Sequence, residues 1–296
     1  IERVRHLKFS LNFSRTHNRA KTIQYMFDGM PTTQTGSFTM TTLSLRSAFA
    51  SVGSADNGYR SATFDKFVGL LDAYQQRIQS LYAGQNYPSG MGSLSGTPYD
   101  PANGAVDKYS SEVMIPAFHS AYGAGGSSLD IFPALTSLLP NWTLSYGGLS
   151  RLAPFKKYFK SFNLNHGYRS IYSVGAYNTY QSYREMQAGF GFVQAVATGM
   201  PTPSSMYDIS TVTLNESFSP LLGLDMTFYN NMTLRLEMRR TRVLTLSMTN
   251  QQITESRSND FVLGAGYKVN DCKRFKSSGS IKQSGRRSNA RNSRAK

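Results

Sequence analysis

The sequence is poor in the residue types on which common site chemistries depend. Its 296 residues include one cysteine, so no disulfide can form within the chain and no cysteine cluster can bind a metal. No run approaches the roughly 18 consecutive apolar residues that a transmembrane helix needs, which argues against a helical membrane protein. The histidines are too dispersed to offer a second ligand at zinc-site spacing. They are His6, His17, His119 and His166.

Signatures of catalysis are missing as well. The chain has no P-loop, no G-x-S-x-G elbow and no H-E-x-x-H helix. Gly-x-Gly pairs occur at 189–191 and 264–266, but both lack a third glycine and lie in strand-like sequence. A glycine there marks a bend or the close approach of a neighbouring chain. We therefore predict that the protein is not an enzyme and has no catalytic residue, cofactor or metal site.

The net charge of +15 is concentrated near the C-terminus. Residues 273–296 hold nine of the 32 Lys and Arg residues and no acid, which leaves 23 basic against 17 acidic residues elsewhere. This segment mixes Ser, Gly, Lys and Arg with Phe275 as its one aromatic residue. Such a composition is typical of a disordered linker rather than of a nucleic-acid site. We expect a basic disordered tail at 272–296 and no nucleic-acid partner.

A period of two dominates the last third of the chain. Within 222–228 and 232–238 every even position is apolar, and every odd position is Gly, Asp, Thr, Arg or Glu. Such alternation indicates strands with one apolar face. Paired residues must share a face, and a three-residue loop at 229–231 that sets Phe228 opposite Met232 meets this condition. Asn230 and Asn231 suit that loop because Asn tolerates the left-handed conformation.

The same reasoning predicts further strands. One continues through the apolar positions 244, 246 and 248, and a polar connection at 250–259 leads to another at 261–269, which makes a meander of four. Earlier strands are predicted at 7–13, from 142, and at 162–176, the last being long enough to cross a bilayer.

Three arginines, Arg239, Arg240 and Arg242, then fall at a junction between two of the predicted strands. Two interpretations stay open for them. They contact lipid phosphates or acidic substrates, or they form a solvated rim, which is the interpretation that we prefer.

Residues 51–140 follow a different pattern. Apolar residues recur at helical spacing from Phe64 to Tyr82, with Thr63 as the expected N-cap and Gly84 at the end. A Gly-, Pro- and Ser-rich stretch precedes a short helix at 111–122 that Pro116 starts or kinks. We therefore divide the chain into four parts: barrel strands at 1–50, a helical and Gly/Pro-rich insertion at 51–140, a barrel strand meander at 141–271 and the basic tail at 272–296.

Long segments of the chain carry a specific likeness to a known family. LPNWTLSYGGLSRL (139–152), FKKYFKSFNLNHGYRSIYSVG (155–175), residues 217–255 and SNDFVLGAGYKV (258–269) resemble the SprA/Sov family of giant cell-surface proteins. Looser likenesses at 36–45 and 113–123 extend the similarity over nearly the whole chain up to about residue 270. Long colinear segments are more specific than any short motif.

The resemblance implies an outer-membrane translocon of the type IX secretion system, which exports folded cargo proteins to the cell surface and is linked to gliding motility. It also implies partners: secreted cargo proteins, a periplasmic plug protein, a smaller outer-membrane barrel protein and membrane lipid. We expect the chain to be a C-terminal fragment of such a barrel, located in the bacterial outer membrane.

The expected fold is all-β, a partial and unclosed antiparallel transmembrane β-barrel wall of long strands with a helix-containing loop insertion. Leu224, Met226, Leu234 and Leu236 are expected to face lipid. Two alternatives remain: a cell-surface binding or adhesion protein built on a soluble β-sandwich, and a smaller porin or receptor barrel.

Overall fold

The computed structural model describes residues 6–23, 25, 32–124, 126, 128–187, 189–195 and 198–269. Within this part of the chain strands predominate and pair antiparallel, and the main sheet does not close into a barrel. None of the helices described is long and apolar enough to cross a bilayer. The basic tail predicted at 272–296 lies outside the described residues.

Twelve strands and four α-helices are described. The strands are β1 (Leu7–Asn12), β2 (Arg15–Thr22), β3 (Thr33–Thr41), β4 (Asn141–Tyr146), β5 (Phe159–Thr179), β6 (Arg184–Gln187), β7 (Phe190–Gln194), β8 (Pro201–Ser205), β9 (Tyr207–Ile209), β10 (Thr211–Phe228), β11 (Met232–Ser247) and β12 (Gln252–Tyr267). The helices are α1 (Leu45–Ala48), α2 (Ala62–Tyr82), α3 (Ser111–Tyr122) and α4 (Ala153–Lys156).

The main sheet has the order β1-β4-β5-β10-β11-β12, with β3 on β5, β2 on β3 and β9 on the end of β5. β3 and β4 lie along the same edge of β5, because Thr41 is opposite Ile171 and Trp142 is opposite Tyr168. The two strands lie end to end beside β5, and residues 42–140 are inserted between them. The backbone N–H of Leu139 donates to the carbonyl of Thr41 at 3.4 Å and brings the two ends of this segment together.

The register predicted for the 222–238 hairpin is confirmed. Leu224 lies opposite Leu236 and Met226 opposite Leu234, so even positions share a face. Asn231, in the loop, adopts a φ of 64°. Asn reaches this left-handed conformation at less cost than most residues, since its side chain can form local hydrogen bonds.

The prediction of two separate strands within 232–248 is wrong. β11 runs unbroken and pairs with both β10 and β12 along its length. The apolar alternation stops near Arg240 because charged residues occupy positions that the alternation assigns to the apolar face. The backbone hydrogen bonds between the strands continue, since they do not depend on side chains. β12 likewise begins at Gln252, so most of the expected polar connection is strand. The meander therefore has three strands rather than four.

Helix α2 lies where the apolar spacing predicts a helix, and its buried face includes Phe67, Leu71 and Ile78. Its N-cap is Ser61, whose hydroxyl accepts a hydrogen bond from the backbone N–H of Phe64 at 3.2 Å. The expected cap at Thr63 is wrong, because Thr63 already lies in the first turn. Helix α3 has Pro116 within it rather than at its start.

A small sheet of β6, β7 and β8 lies in the connection between β5 and β10, where the sequence was assigned to barrel strands. Phe192 of β7 is fully buried, with its ring centroid 5.2 Å from that of Tyr82 and 4.9 Å from that of Tyr87. Gly191 is needed for this packing, since a Cβ there would lie 2.2 Å from the carbonyl oxygen of Arg184. Residues 42–140 and this small sheet together are called the helical block.

The helical block packs on one face of the main sheet, but over only half of its length. This covered half consists of β3, 168–179 of β5, 211–218 of β10, 240–247 of β11 and the start of β12. It shares a large core with the block, and a small second cluster joins Ala48 of the block to Tyr168 and Phe218. The sheet contributes Phe38, Met40, Tyr172, Val174, Val212, Leu214, Leu244 and Leu246 to that core. The rest of the sheet, with β1, β4 and the 222–238 hairpin, is called the uncovered half.

Asn231 offers a test of the hairpin geometry. Asn231→Ala should lower the free energy of unfolding by about 1 kcal/mol, because Ala pays more for a positive φ, whereas Asn231→Gly should change it by only a few tenths. Urea unfolding of the full chain in detergent micelles measures both. Equal losses in the two variants would contradict the proposed role of the backbone conformation.

Candidate functional site

The uncovered half carries a row of apolar side chains across six strands. Each member lies directly opposite the next in the hydrogen-bond register, so all of them project from one face. The row consists of Leu7, Tyr146, Leu164, Leu224, Leu236 and Leu263.

Neighbouring rows on this face are also apolar. Phe9 lies opposite Leu144 in β4, and Phe261 lies opposite Met238 in β11. Several of these side chains are largely exposed, for example Phe261 at 76% and Leu263 at 72%. We call this set of rows the apolar band. A contiguous exposed surface of this kind is unusual on a soluble monomer and marks a site of contact with another protein, a ligand or a membrane.

The opposite face of the same strands carries hydrogen-bonded polar side chains. Asn165 Nδ2 donates to Asp225 Oδ2 at 2.8 Å, and Ser145 Oγ donates to Asn165 Oδ1 at 2.8 Å. Arg235 in β11 approaches Asp225 at 3.6 Å and Glu237 at 3.0 Å. Arg239 Nε completes the series by donating to Glu237 Oε1 at 2.6 Å. This polar ladder joins four strands, so the uncovered half has one apolar and one polar face.

A bulge in β10 separates the two halves of the sheet. Its register shifts between Phe218 and Leu222 against β11 and β5 alike. The extra residues bring the carbonyl oxygen of Leu221 to 2.7 Å from His166 Nδ1. Bulges re-aim the side chains around them. Here the bulge lies at the border between the apolar band and the side chains buried beneath the helical block.

Below the helical block, Arg242 forms a buried charged cluster with two glutamates. Its guanidinium is 2% exposed and lies 3.6 Å from Glu216 Oε2 and 3.4 Å from Glu255 Oε1. Those two contacts are ion pairs without hydrogen-bond geometry, whereas Arg242 Nη2 donates to Ser47 Oγ at 2.7 Å. Glu216 is held in addition by Ser44 Oγ, which donates to it at 2.6 Å. Charges buried this deeply are tolerated only when they are paired.

Two more arginines bind the start of the helical block. Arg240 Nη2 donates to the carbonyl of Ala48 at 2.8 Å, and its guanidinium lies 4.8 Å from the ring centroid of Phe49. Arg257 of β12 donates to the carbonyl of Ala50 at 2.8 Å. These contacts and those of Arg242 converge on α1 and the residues beside it. The three arginines and their partners, which we call the arginine cluster, therefore hold the helical block against the sheet.

The expected solvated rim at the arginines is therefore wrong for Arg240 and Arg242. Both lie in mid-strand beneath the block, while Arg239 projects from the other face and belongs to the polar ladder. Sequence reasoning also missed Glu216 and Glu255, the acidic partners. The sequence did indicate a buried partner for Glu216. This residue occupies a position of β10 that the alternation assigns to the apolar face, between buried neighbours, where an unpaired charge would be costly.

Helix α3 carries two buried ionisable groups without a hydrogen-bond partner among the described residues. Both carboxylate oxygens of Glu112 are unpaired, and burial raises the pKa of this group to about 8. The ring of His119 lies 4.5 Å from that of Tyr172, its Nε2 is unpaired, and burial lowers its pKa to about 4. Both shifts favour the neutral form of the group at neutral pH.

Comparison of the chain with models of known protein families and with curated proteins found no match. The resemblance described from the sequence therefore stays a prediction, and function must be argued from the two faces of the sheet and from the cluster beneath the helical block.

Removing Arg242 should leave the buried carboxylate of Glu216 without its ion-pair partner, while Glu255 keeps its ion pair with Arg257. Arg242→Met is expected to lower the free energy of unfolding by about 3 kcal/mol, and the double variant with Glu216→Gln should recover part of that loss. The matched control Arg239→Met removes a half-exposed arginine while Arg235 still pairs with Glu237, so it should lower the free energy of unfolding much less than Arg242→Met does. Similar losses for the two single variants in urea unfolding would show that burial of Arg242 does not matter.

His119 should make the stability of the fold depend on pH. Because the pKa of the folded state is depressed, the contribution of the neutral ring is present above pH 6.5 and is lost as the pH falls toward 4. His119→Phe keeps an aromatic ring against Tyr172 and removes the titration. The variant should therefore gain stability relative to wild type between pH 7 and pH 4, by up to about 3 kcal/mol at about 1.4 kcal/mol per pKa unit. A pH-independent difference in unfolding free energy would refute this.

Proposed function

We propose that this chain is a section of the wall of a large outer-membrane β-barrel that conducts proteins to the cell surface. The observation that carries the proposal is the two-faced uncovered half, with the apolar band on one side of six strands and the polar ladder on the other. Barrel strands in lipid alternate apolar outward and polar inward residues in this manner.

The apolar band is long enough to cover much of the height of a bilayer's hydrocarbon layer. On β11 it extends over the seven residues from Met232 to Met238, or about 23 Å at 3.3 Å per residue before any tilt. Outer-membrane barrels carry an outward apolar belt about 25 Å tall. Under this proposal lipid chains contact Leu224, Leu236 and their neighbours, and the polar ladder lines the lumen.

The helical block then lies beyond the bilayer. It packs on the same face of the sheet as the apolar band but farther along the strands, where lipid would otherwise meet Glu216 and Arg242. The block keeps these charges away from hydrocarbon and supplies their partners. Arg240 and Arg257, which bind the backbone beside α1, would hold it at the membrane boundary.

The function of the whole barrel follows from the resemblance to the SprA/Sov family. We infer a passive conduit of the type IX secretion system, linked to gliding motility, in which the wall supplies closure and a polar lumen while energy for export comes from elsewhere. Its partners are the secreted cargo proteins, a periplasmic plug protein, a smaller outer-membrane barrel protein and lipid. In that assembly, further strands would pair with the edges that β1, β2 and β12 form among the described residues.

Two positions on the same strand test the assignment of the faces. Leu236→Arg places a charge in the apolar band and should cost roughly 2 to 4 kcal/mol near the bilayer midplane. Thr233→Arg, on the polar face of β11, should cost little. Both are made in the full-length protein, and unfolding in lipid vesicles and recovery in carbonate-washed outer membranes are compared with wild type.

Equal behaviour of the two variants would contradict the lipid-facing assignment. Release of the wild-type protein by carbonate would favour the adhesion protein with a soluble sandwich, in which a second sheet covers the apolar band. Membrane retention together with a complete gene only a few hundred residues long would favour a small porin or receptor barrel.

Export itself is tested by disruption of the gene. Proteins released to the medium and displayed at the surface are compared between the disrupted strain and its parent. We expect the loss of a defined set of large folded proteins from both fractions. An unchanged profile of secreted proteins would refute the secretion proposal while leaving the barrel assignment intact.

A further inference from the structure

A cleft of about 170 Å³ opens on the helical block, away from the apolar band and the arginine cluster. Glu112 of α3 lies in its wall, and Asp130 stands at the exposed rim. Phe132, Phe190 and Tyr207 supply aromatic walls, with the ring centroids of Phe132 and Tyr207 5.1 Å apart. No Lys or Arg belongs to the cleft lining within the described part of the chain.

The carboxyl group of Glu112 is the unusual feature of this cleft. Glu112 is 2% exposed, and neither of its oxygens has a hydrogen-bond partner. Two nearby hydroxyls, those of Ser110 and Tyr183, are also buried and unpartnered. An unpaired buried carboxylate costs several kcal/mol, so such a group is either kept protonated or paired with a cation.

We propose that the cleft binds an alkylammonium group, with Glu112 as its counter-ion and the aromatic side chains around its stem. An acidic group with aromatic walls is the arrangement that recognises organic cations, since ring faces attract positive charge. A metal ion fits less well. Among the described residues no three His, Cys, Asp or Glu side chains come together as a metal site would require.

Binding of the cation is coupled to ionisation of Glu112. The titratable groups whose pKa responds to the Glu112 charge are the phenols of Tyr82, Tyr99 and Tyr183, and none of these carries positive charge. Because burial raises the pKa of Glu112 to about 8, the empty cleft holds the protonated acid at neutral pH. Each cation bound then releases a proton, so affinity should rise about tenfold per pH unit below pH 8 and level off above it.

The test uses the full chain in detergent micelles and isothermal titration calorimetry with n-butylammonium chloride. We expect saturable binding that weakens at least tenfold in Glu112→Gln and several-fold in Asp130→Asn. Asp56→Asn, an acidic residue of the block that does not line the cleft, should bind as wild type does. Neutral n-pentanol should not compete with n-butylammonium. Competition by Nα-acetyl-lysine amide, whose side-chain ammonium group is free, would identify the source of the ammonium group as a lysine side chain.

Several outcomes would overturn the proposal: no saturable binding to wild type, equal binding by Glu112→Gln, or saturable binding of CaCl2 with none of butylammonium. Thermal melting shows whether Glu112→Gln remains folded. If Glu112→Gln does not fold, the pH dependence of binding and the proton release measured on the wild-type chain test the proposal instead. A cation bound elsewhere on the block would not release a proton near pH 8. This test is independent of the membrane proposal, since the helical block lies outside the apolar band.

Discussion

The antiparallel ladder from β4 to β12 is the constraint on which the rest of the structure depends. Because side chains alternate strictly along each strand, the register alone decides that Leu164, Leu224, Leu236 and Leu263 project from one face. A slip of one residue between β10 and β11 would move the apolar band of β11 to the polar side and break the contact of Arg235 with Asp225. The two faces are thus maintained together.

The same face changes its environment along the strands. In the uncovered half it carries leucines and phenylalanines, whereas beyond the β10 bulge it carries Glu216 and Arg242, which are stable there only because α1 and its neighbours supply hydrogen bonds. The arginine cluster thus ties the position of the helical block to the border of the apolar band. Under the proposed function this border lies near the membrane surface, where a block displaced from the sheet would expose buried charges.

Much of the local structure could be predicted from the residues. The loop at 229–231, the pairing of Leu224 with Leu236 and the central part of the long strand β5 all follow from alternation and turn chemistry. The misplaced strand junction has a tertiary cause. Arg240 and Arg242 interrupt the apolar alternation, and this pattern indicated a strand junction. The strand continues because residues distant in sequence, such as Ser47 and Glu255, pair with the Arg242 guanidinium.

By itself, the sequence determined the position of the two longer helices, the hairpin at 222–238 and the residues that share a face within it, because these properties depend on neighbours within one strand or helical turn. Only the tertiary structure decided that β3 and β4 lie end to end beside β5, that the helical block covers half of the apolar face, and that Glu112 lies unpaired in a cleft. These features depend on contacts between residues more than a hundred positions apart or on burial by other elements. No local pattern of apolar and polar residues records such contacts.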